Sequence, residues 1–346
     1  MNCRVSIMDC IDLKAWAAEL GFCDAALCDA APFYEQKTQV MHQPPLSERK
    51  QLKYDPSKEN ANTKSIEVLL WPYKPYKPKD GRAVFIDSYY AASNAAYHAA
   101  QALEAKLRQL GRYARANVSY PAKEAAVRAG LGIVGDHSLF IHPIYGTRVV
   151  IILMETDISV ETATTTVRKE CLHCGKCAHV CPTGAIDQQG MSHPEKCLRN
   201  FMLEGIVVPE EIRGLMGRKM LGCDLCQQVC PMQHSRTECS SVDEWTLDVF
   251  LSANDAVFSS SVKRLQASIG RNTARPQRIR AQAALLCGNI GDFSDLPVLK
   301  SWLNSDFEAV REHAAWSISQ IENREGLTED SNDAGLDQSS QTGYNI

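Results

Sequence analysis

The stretch CLHCGKCAHVCP at 171–182 places cysteines at 171, 174, 177 and 181 and follows the last with a proline. This C-x2-C-x2-C-x3-C-P spacing wraps a [4Fe–4S] cluster, and in a two-cluster arrangement its fourth cysteine ligates the other cluster. A second run, CDLCQQVCP at 223–231, supplies Cys223, Cys226 and Cys230 and is one cysteine short. Cys197, in HPEKCLRN between the two runs, can make up the set. The thiolates then suffice for two cubanes. The spacing assigns Cys171, Cys174, Cys177 and Cys230 to one, and Cys181, Cys197, Cys223 and Cys226 to the other. The proline after each terminal cysteine stops the helix there and turns the chain away. Paired zinc sites are the competing reading, since C-x2-C also binds zinc tetrahedrally, but zinc seldom uses this longer run. Two clusters this close in sequence form a short electron wire.

The chain has fourteen cysteines, and the remaining six (Cys3, Cys10, Cys23, Cys28, Cys239 and Cys287) show no ligand spacing. They are expected to behave as small buried apolar residues. A disulfide framework fits poorly with uneven spacing, the length of 346 residues and no leader segment at the N-terminus. No run of apolar residues is long enough to span a bilayer, so a cytoplasmic protein without a membrane partner is expected. At 45% hydrophobic and 23% charged residues the composition is that of a globular chain of two or three domains. The net charge of −4 excludes a broadly basic nucleic-acid coat and leaves room for a local basic patch.

A wire needs a terminus, and the residues ahead of it must supply one. DLKAWAAELGFCDAALCDAAPF has helical period up to Gly21 and then reads as a strand. A polar, loop-like region runs from Glu35 to Lys64. SIEVLLWPYKPY and GRAVFIDSYY are β-branched and aromatic and suggest strands joined irregularly through Pro72, Pro75 and Pro78. A long alanine-rich helix is expected from Ala91 to Leu110. PAKEAAVRA is a further helix that begins at Pro121 and ends at Gly130. GLGIVG at 130–135 has the G-x-G-x-x-G spacing of a dinucleotide-binding turn, with Glu155 about where a ribose carboxylate would lie. That fingerprint requires a strand before the first glycine and a helix after the third. Here a helix precedes, and the apolar stretches SLFIHP and TRVVIILME follow, so the turn ends a helix and brings backbone close to something else.

The order AVRAGLGIVG, LFIHPIYGTRVVIILMETD, CLHCGKCAHVCPTGAI, the lone Cys197 and EEIRGLMGRKMLGCDLCQQVCP resembles epoxyqueuosine reductases and their cobalamin-dependent relatives, which include reductive dehalogenases. The resemblance runs from about Leu13 to Ile321, and Tyr97-His98 matches part of the family's D-Y-H motif. RIRAQAALLCGNIGDFSDLPVLKSWLNSDFEAVREHAAWSISQI is similar to the HEAT-like helical repeat of many such reductases. Its two periodic helices, separated by GNIGD, must pack on the rest of the chain to bury a face.

The resemblance implies an α+β reductase of epoxyqueuosine in the anticodon loop of tRNA. Its parts would be a corrinoid-binding α/β domain (nitroreductase-like) over 1–165, a ferredoxin-like double-cluster module over 166–240 and a helical domain with a HEAT-like repeat over 241–325. It implies base-off cobalamin over the glycine turn, with Tyr97, Gly130, Gly132, Gly135, His137 and Ser138 at the cofactor. Electrons would come from an external ferredoxin or flavodoxin, to a monomer. Ligation of cobalt by His137 or His142 stays open, and no D-x-H-x-x-G corrinoid signature occurs.

Several positions depart from the family. Its aspartate, in a D-x-x-P stretch, has no counterpart in ANVSYP; G-K-N reads Gly135-Asp136-His137; the first residue of D-Y-H is Ala96; and the helix from Pro121 is about two residues short. Tyr120, Asp136 and His98 are the candidate proton donors. Arg271, Arg275, Arg278 and Arg280 form one basic strip suited to phosphates. Lys74, Lys77, Lys79 and Arg82, with Tyr73 and Tyr76 interleaved, form a second basic loop suited to an unstacked base. The polar segment from Leu327 to Ile346 is expected to be disordered. Two other functions fit the same residues: a cobalamin-dependent reductase of a small molecule, and a non-catalytic two-cluster electron carrier or corrinoid activator.

Overall fold

The computed structural model describes residues 12–34, 53–79, 81–160, 170–203, 205–233 and 245–333. The expectations for Cys3, Cys10, Cys239, much of the loop from Glu35 and the last thirteen residues fall outside these. The strands are β1 (Asp24–Asp29), β2 (Ser65–Pro72), β3 (Phe85–Ile86), β4 (Ala114–Ala116), β5 (Ile133–Val134), β6 (Phe140–Ile141), β7 (Val149–Thr156) and β8 (Lys219–Leu221). Four of them form an antiparallel sheet in the order β1-β2-β7-β4.

Both faces of the central strand β2 are covered, and its apolar residues divide between two cores. Ile66, Val68 and Leu70 face one core, and Leu69 faces the other. Helices α1 (Leu13–Glu19) and α2 (Ser88–Gln109) lie on the Leu69 side, and α3 (Ala122–Arg128) lies on the opposite side. Along α2, Ala92, Ala96, Ala100, Leu103 and Leu107 recur at helical spacing and are buried. Burial of each leucine there contributes roughly 1.5–3 kcal/mol.

The GRAVFIDSYY segment gives less strand than its composition suggests. Phe85 and Ile86 pair in parallel with β8, and Ala83 makes a single antiparallel bridge to Thr246; the strand goes no further because the Asp87 carboxylate accepts from Tyr89 N–H at 3.0 Å and starts α2 there. Capping outweighs β-propensity at this point. The α3 helix follows Pro121 and ends in a left-handed Gly130 with φ of +74°.

Helices α4 (Asp255–Ile269), α5 (Pro276–Ile290), α6 (Leu296–Trp302) and α7 (Glu308–Asp333) make up the C-terminal region. GNIGD thus separates α5 from two helices rather than one. Gly288 on α5 is obligatory, since a Cβ there would lie 2.4 Å from the Trp316 ring. His313 on α7 is fully buried; its ring is bonded to Ala281 O at 2.9 Å, and its Nε2 accepts from Val208 N–H at 2.9 Å. A single core therefore runs from Leu198 through Met220, Leu221 and Trp245 to Ile321. Helix α7 runs on to Asp333, and the rest of the segment expected to be disordered lies outside the described residues. A nucleated helix gains a hydrogen bond with each added residue, and this carries it through polar sequence.

Candidate functional site

Cys171, Cys174, Cys177 and Cys230 line one cleft, together with Asp136, His137, Leu172, Lys176 and Met232. Two left-handed residues shape the first loop: His173 (φ +47°) between Cys171 and Cys174, and Gly175 (φ +69°), which precedes the helix Lys176–Val180 and turns Cys177 inward. The second cysteine set gathers separately. The thiols acting on Cys226 are Cys223, Cys197, Cys181 and, last, Cys177, whereas those acting on Cys230 are Cys171 and Cys174. Each group offers four sulfurs, and the first is lined by apolar side chains, Asp136, Lys176 and His137, whose Nε2 is sealed and unpartnered. Both donor sets suit the thiolate-ligated cubane expected from the spacing. Cys28 and Cys287 are buried, as expected of apolar cysteines, and Cys23 is half-buried.

The cysteine loops are latched to the start of β7. Arg148 donates to the Asp224 carboxylate at 2.9 Å, with both side chains almost wholly buried. Thr147 Oγ1 donates to Gln227 at 3.1 Å and Gln233 at 2.9 Å, and Gln233 donates to Tyr145 O at 3.1 Å. Gly146 (φ +58°) makes this fit possible, because a Cβ would lie 2.5 Å from Gln233 Oε1.

Chain order around 130–135 is helix, turn, then the β5–β6 hairpin, so the dinucleotide reading is excluded by topology. The close approach that this turn serves is internal. A Cβ on Gly132 would meet Ile141 O at 2.3 Å, and one on Gly135 would meet His137 Cε1 at 2.9 Å. Ser138 (φ +58°) is held from behind by Lys123, whose ammonium donates to its carbonyl at 2.8 Å and its hydroxyl at 2.9 Å. Burial lowers the Lys123 pKa.

His137 and His142 both use Nδ1 as an acceptor. Leu139 N–H donates to His137 Nδ1 at 3.1 Å, and Ile144 and Tyr145 N–H donate to His142 Nδ1 at 3.1 and 3.2 Å. Each neutral ring therefore keeps its proton on Nε2, and in His142 that N–H reaches Asp24 at 3.2 Å. Burial lowers the His137 pKa to about 4, so the ring is neutral at pH 7.

The three candidate proton donors stand in three different places. Tyr120 is 2% exposed behind the turn, and its hydroxyl donates to Glu155 at 2.5 Å. Glu155 is sealed on β7 and also accepts from Arg115 at 2.6 Å and Tyr113 at 2.5 Å. Burial and this carboxylate push the Tyr120 pKa up. Asp136 lines the cysteine cleft and is bonded to His173 Nδ1 at 2.9 Å. His98 lies on the exposed side of α2 beside Tyr97, within 3.2 Å of Gln101. Tyr97 is also exposed, and Asn117 donates to its carbonyl at 3.3 Å.

Both basic strips are smaller than their sequences suggest. Arg280 is paired with Asp255 at 2.6 Å and stacks over Phe258 and Trp302, and Arg278 binds the carbonyls of Asn272 and Thr273. Arg271 and Arg275 remain exposed. Arg82 is held by Asp248 and Asp295 at 2.6–2.9 Å. Tyr76 is buried against Phe85, and the Tyr73 hydroxyl donates to Gln227 at 3.2 Å, so neither tyrosine offers a free face to a base. Lys74 and Lys77 are exposed.

Residues 170–233 match the 4Fe-4S double cluster binding domain. An epoxyqueuosine reductase from Aliivibrio fischeri is 29% identical over 248 residues, which cover 64% of this chain and 65% of that protein. One from Bacillus subtilis is 28% identical over 205 residues, covering 58% and 53%. The matched segments thus span between about half and two thirds of these relatives. A crystal structure of epoxyqueuosine reductase with an epoxyqueuosine-modified tRNA-Tyr stem loop superposes with a TM-score of 0.76 at 21% identity, over 95% of this chain and 94% of that one. In sequence this chain is similar to epoxyqueuosine reductases, and its fold is similar to theirs. Among its described residues, no helix is long and apolar enough to cross a membrane.

Spacing did not reveal Glu155, Arg148 or Lys123 as structural partners of the site. Glu155 carries a usable signal: a charge in the otherwise apolar run VVIILMET must be paired if that strand is buried.

Proposed function

We propose that this chain is a cobalamin-dependent, two-cluster reductase that converts epoxyqueuosine to queuosine in the anticodon loop of tRNA. The observation that carries this reading is the joint match of the cysteine set and nearly the whole fold to epoxyqueuosine reductases. The reaction removes an epoxide oxygen, consuming two electrons and two protons and releasing water. Cobalamin, when bound, supplies a low-potential centre able to deliver an electron pair to carbon, which single-electron clusters alone do not.

The rest falls to the chain's own residues. Cys171, Cys174, Cys177 and Cys230 hold one cluster, and Cys181, Cys197, Cys223 and Cys226 hold the other. Electrons enter from an external ferredoxin or flavodoxin. Gly130, Gly132 and Gly135 shape the turn, and Lys123 fixes Ser138 beside it; with Tyr97 these residues form the corrinoid seat. Tyr120 is the proton donor for the departing oxygen, and its hydroxyl must turn from Glu155, to which it donates at rest, to deliver that proton. The nitroreductase-like sheet over 1–165, the cluster module over 166–240 and the HEAT-like helices over 241–325 act as one monomer in the cytoplasm.

Of the first basic strip, Arg271 and Arg275 are the exposed charges able to meet tRNA phosphates. Anaerobically reconstituted protein, incubated with a reductant and an epoxyqueuosine-modified stem loop, should yield queuosine by mass spectrometry. Arg271→Gln with Arg275→Gln should weaken stem-loop binding and reduce its salt slope by about one for each phosphate that no longer meets an arginine. A second reading, reduction of a small molecule, is favoured by one observation, the absence of a carboxylate from ANVSYP. Full cofactor loading without queuosine and without stem-loop binding would select it.

A further inference from the structure

His137 has one ring nitrogen in use and one idle. Its Nδ1 accepts the Leu139 N–H at 3.1 Å, so the proton of the neutral ring sits on Nε2. That N–H is sealed from solvent and has no hydrogen-bond partner, in a side chain only 7% exposed. A buried donor left without an acceptor costs about 1–3 kcal/mol, and folded proteins retain few of them. Among the described residues, His137 is the one that both lines the cysteine-lined cleft and carries such an orphaned side-chain atom. The ring's orientation is fixed on its other edge: Nδ1 is bonded, and Cε1 lies where a Cβ on residue 135 would be 2.9 Å away, which glycine permits. The remaining wall is Asp136, already bonded to His173, the exposed Lys176, whose ammonium can also reach water, apolar side chains and four sulfurs.

We propose that the Nε2–H of His137 donates a hydrogen bond to a sulfur of the cluster held by Cys171, Cys174, Cys177 and Cys230, and so sets that cluster's reduction potential. This rests on the ligand assignment proposed above. Reduction adds one electron to the cluster and no proton leaves the ring. The sulfurs gain negative charge, the N–H···S bond strengthens, and the reduced state is favoured. The potential of this cluster is therefore raised relative to a site lacking the donor. His137 is a tuning residue here and takes no part in bond breaking.

The test is a redox titration of the full chain, reconstituted anaerobically and followed by EPR. In His137→Phe, one cluster's midpoint should fall by about 59 mV, a tenfold change in its one-electron equilibrium, while the other stays in place. Unchanged midpoints at full iron content would overturn the proposal. Should the variant fail to hold its cluster, wild-type protein labelled with 15N at histidine Nε2 provides the second readout. Pulsed EPR of its reduced state should show a histidine nitrogen coupling that persists in His173→Gln, and absence of that coupling in fully loaded protein would overturn the donor. Wild-type protein that assembles no cluster on these cysteines would instead overturn the ligand assignment, and the donor with it.

Discussion

Arg148 and Asp224 are joined by a 2.9 Å ion pair that water scarcely reaches, and it ties the residue before β7 to the loop between Cys223 and Cys226. Nε and Nη1 of Arg148 have no hydrogen-bond partner, so among the described residues Asp224 supplies the one carboxylate bonded to that guanidinium. Removing one partner of such a pair costs about 3–5 kcal/mol, whereas replacing both with apolar groups recovers much of the loss. Asp224→Ala should therefore destabilise the protein strongly in urea unfolding, and Arg148→Met with Asp224→Leu should be markedly more stable than the single variant. Additive effects would show that the pair does not hold the cluster loops to the sheet.

Cys197 stands outside both cysteine runs, yet it acts on Cys223 and Cys226. Cys197→Ala should reduce bound iron from about eight to about four per chain, since each cubane holds four. The surviving EPR signal should be that of the cluster on Cys171, Cys174, Cys177 and Cys230. Iron content near eight in this variant would remove Cys197 from the ligand set.

Glu67 is 1% exposed on β2, and burial raises its pKa to about 8. The sign follows from proton counting. Between the carboxyl's ordinary value of 4.5 and about 8 the folded chain keeps a proton that the unfolded chain has lost. Stability therefore falls as pH rises through that window, by up to ~1.4 kcal/mol per pH unit from this group. Glu67→Gln should flatten the decline and be relatively most stabilising near pH 8. A parallel pH profile for the wild type and the variant would contradict the assignment.

Tyr120 donates to a carboxylate that Arg115 and Tyr113 also hold. With Tyr120 as the proton donor, Tyr120→Phe should lower kcat by roughly 10²–10⁴-fold while cobalt and iron contents stay unchanged. Glu155→Gln should act in the same direction and also destabilise the fold, because Arg115 would lose a buried charged partner. A Tyr120→Phe enzyme with kcat within about twofold of wild type would move the proton elsewhere, with Asp136 next to be tested.

Much of this was legible in the sequence where local rules govern. Cysteine spacing follows from the short loops that wrap a cubane, so both donor sets could be read from Cys171 to Cys230. The apolar run of β2 and the stop at Gly130 also follow from local chemistry. The misreadings arose where tertiary partners decide. Arg278, Arg280 and Arg82 look like a basic surface until carbonyls, Asp255, Asp248 and Asp295 close on them. Tyr73 and Tyr76 look like a stacking platform, but Tyr76 is buried against Phe85 and the Tyr73 hydroxyl is bonded to Gln227 of the cluster module. Asp87 shortens a strand by capping a helix, and no composition window registers a single cap. Glu155 and Tyr120 are 35 positions apart in sequence and meet only because β7 passes behind the turn.

The most direct measurement is an anaerobic iron, sulfide and cobalt analysis of the full chain after reconstitution with cobalamin. The two-cluster corrinoid reading expects about eight irons, about eight sulfides and one cobalt per chain. Eight irons with no retained cobalt would contradict it, leaving an electron carrier whose glycine turn serves only to bring β5 and β6 together.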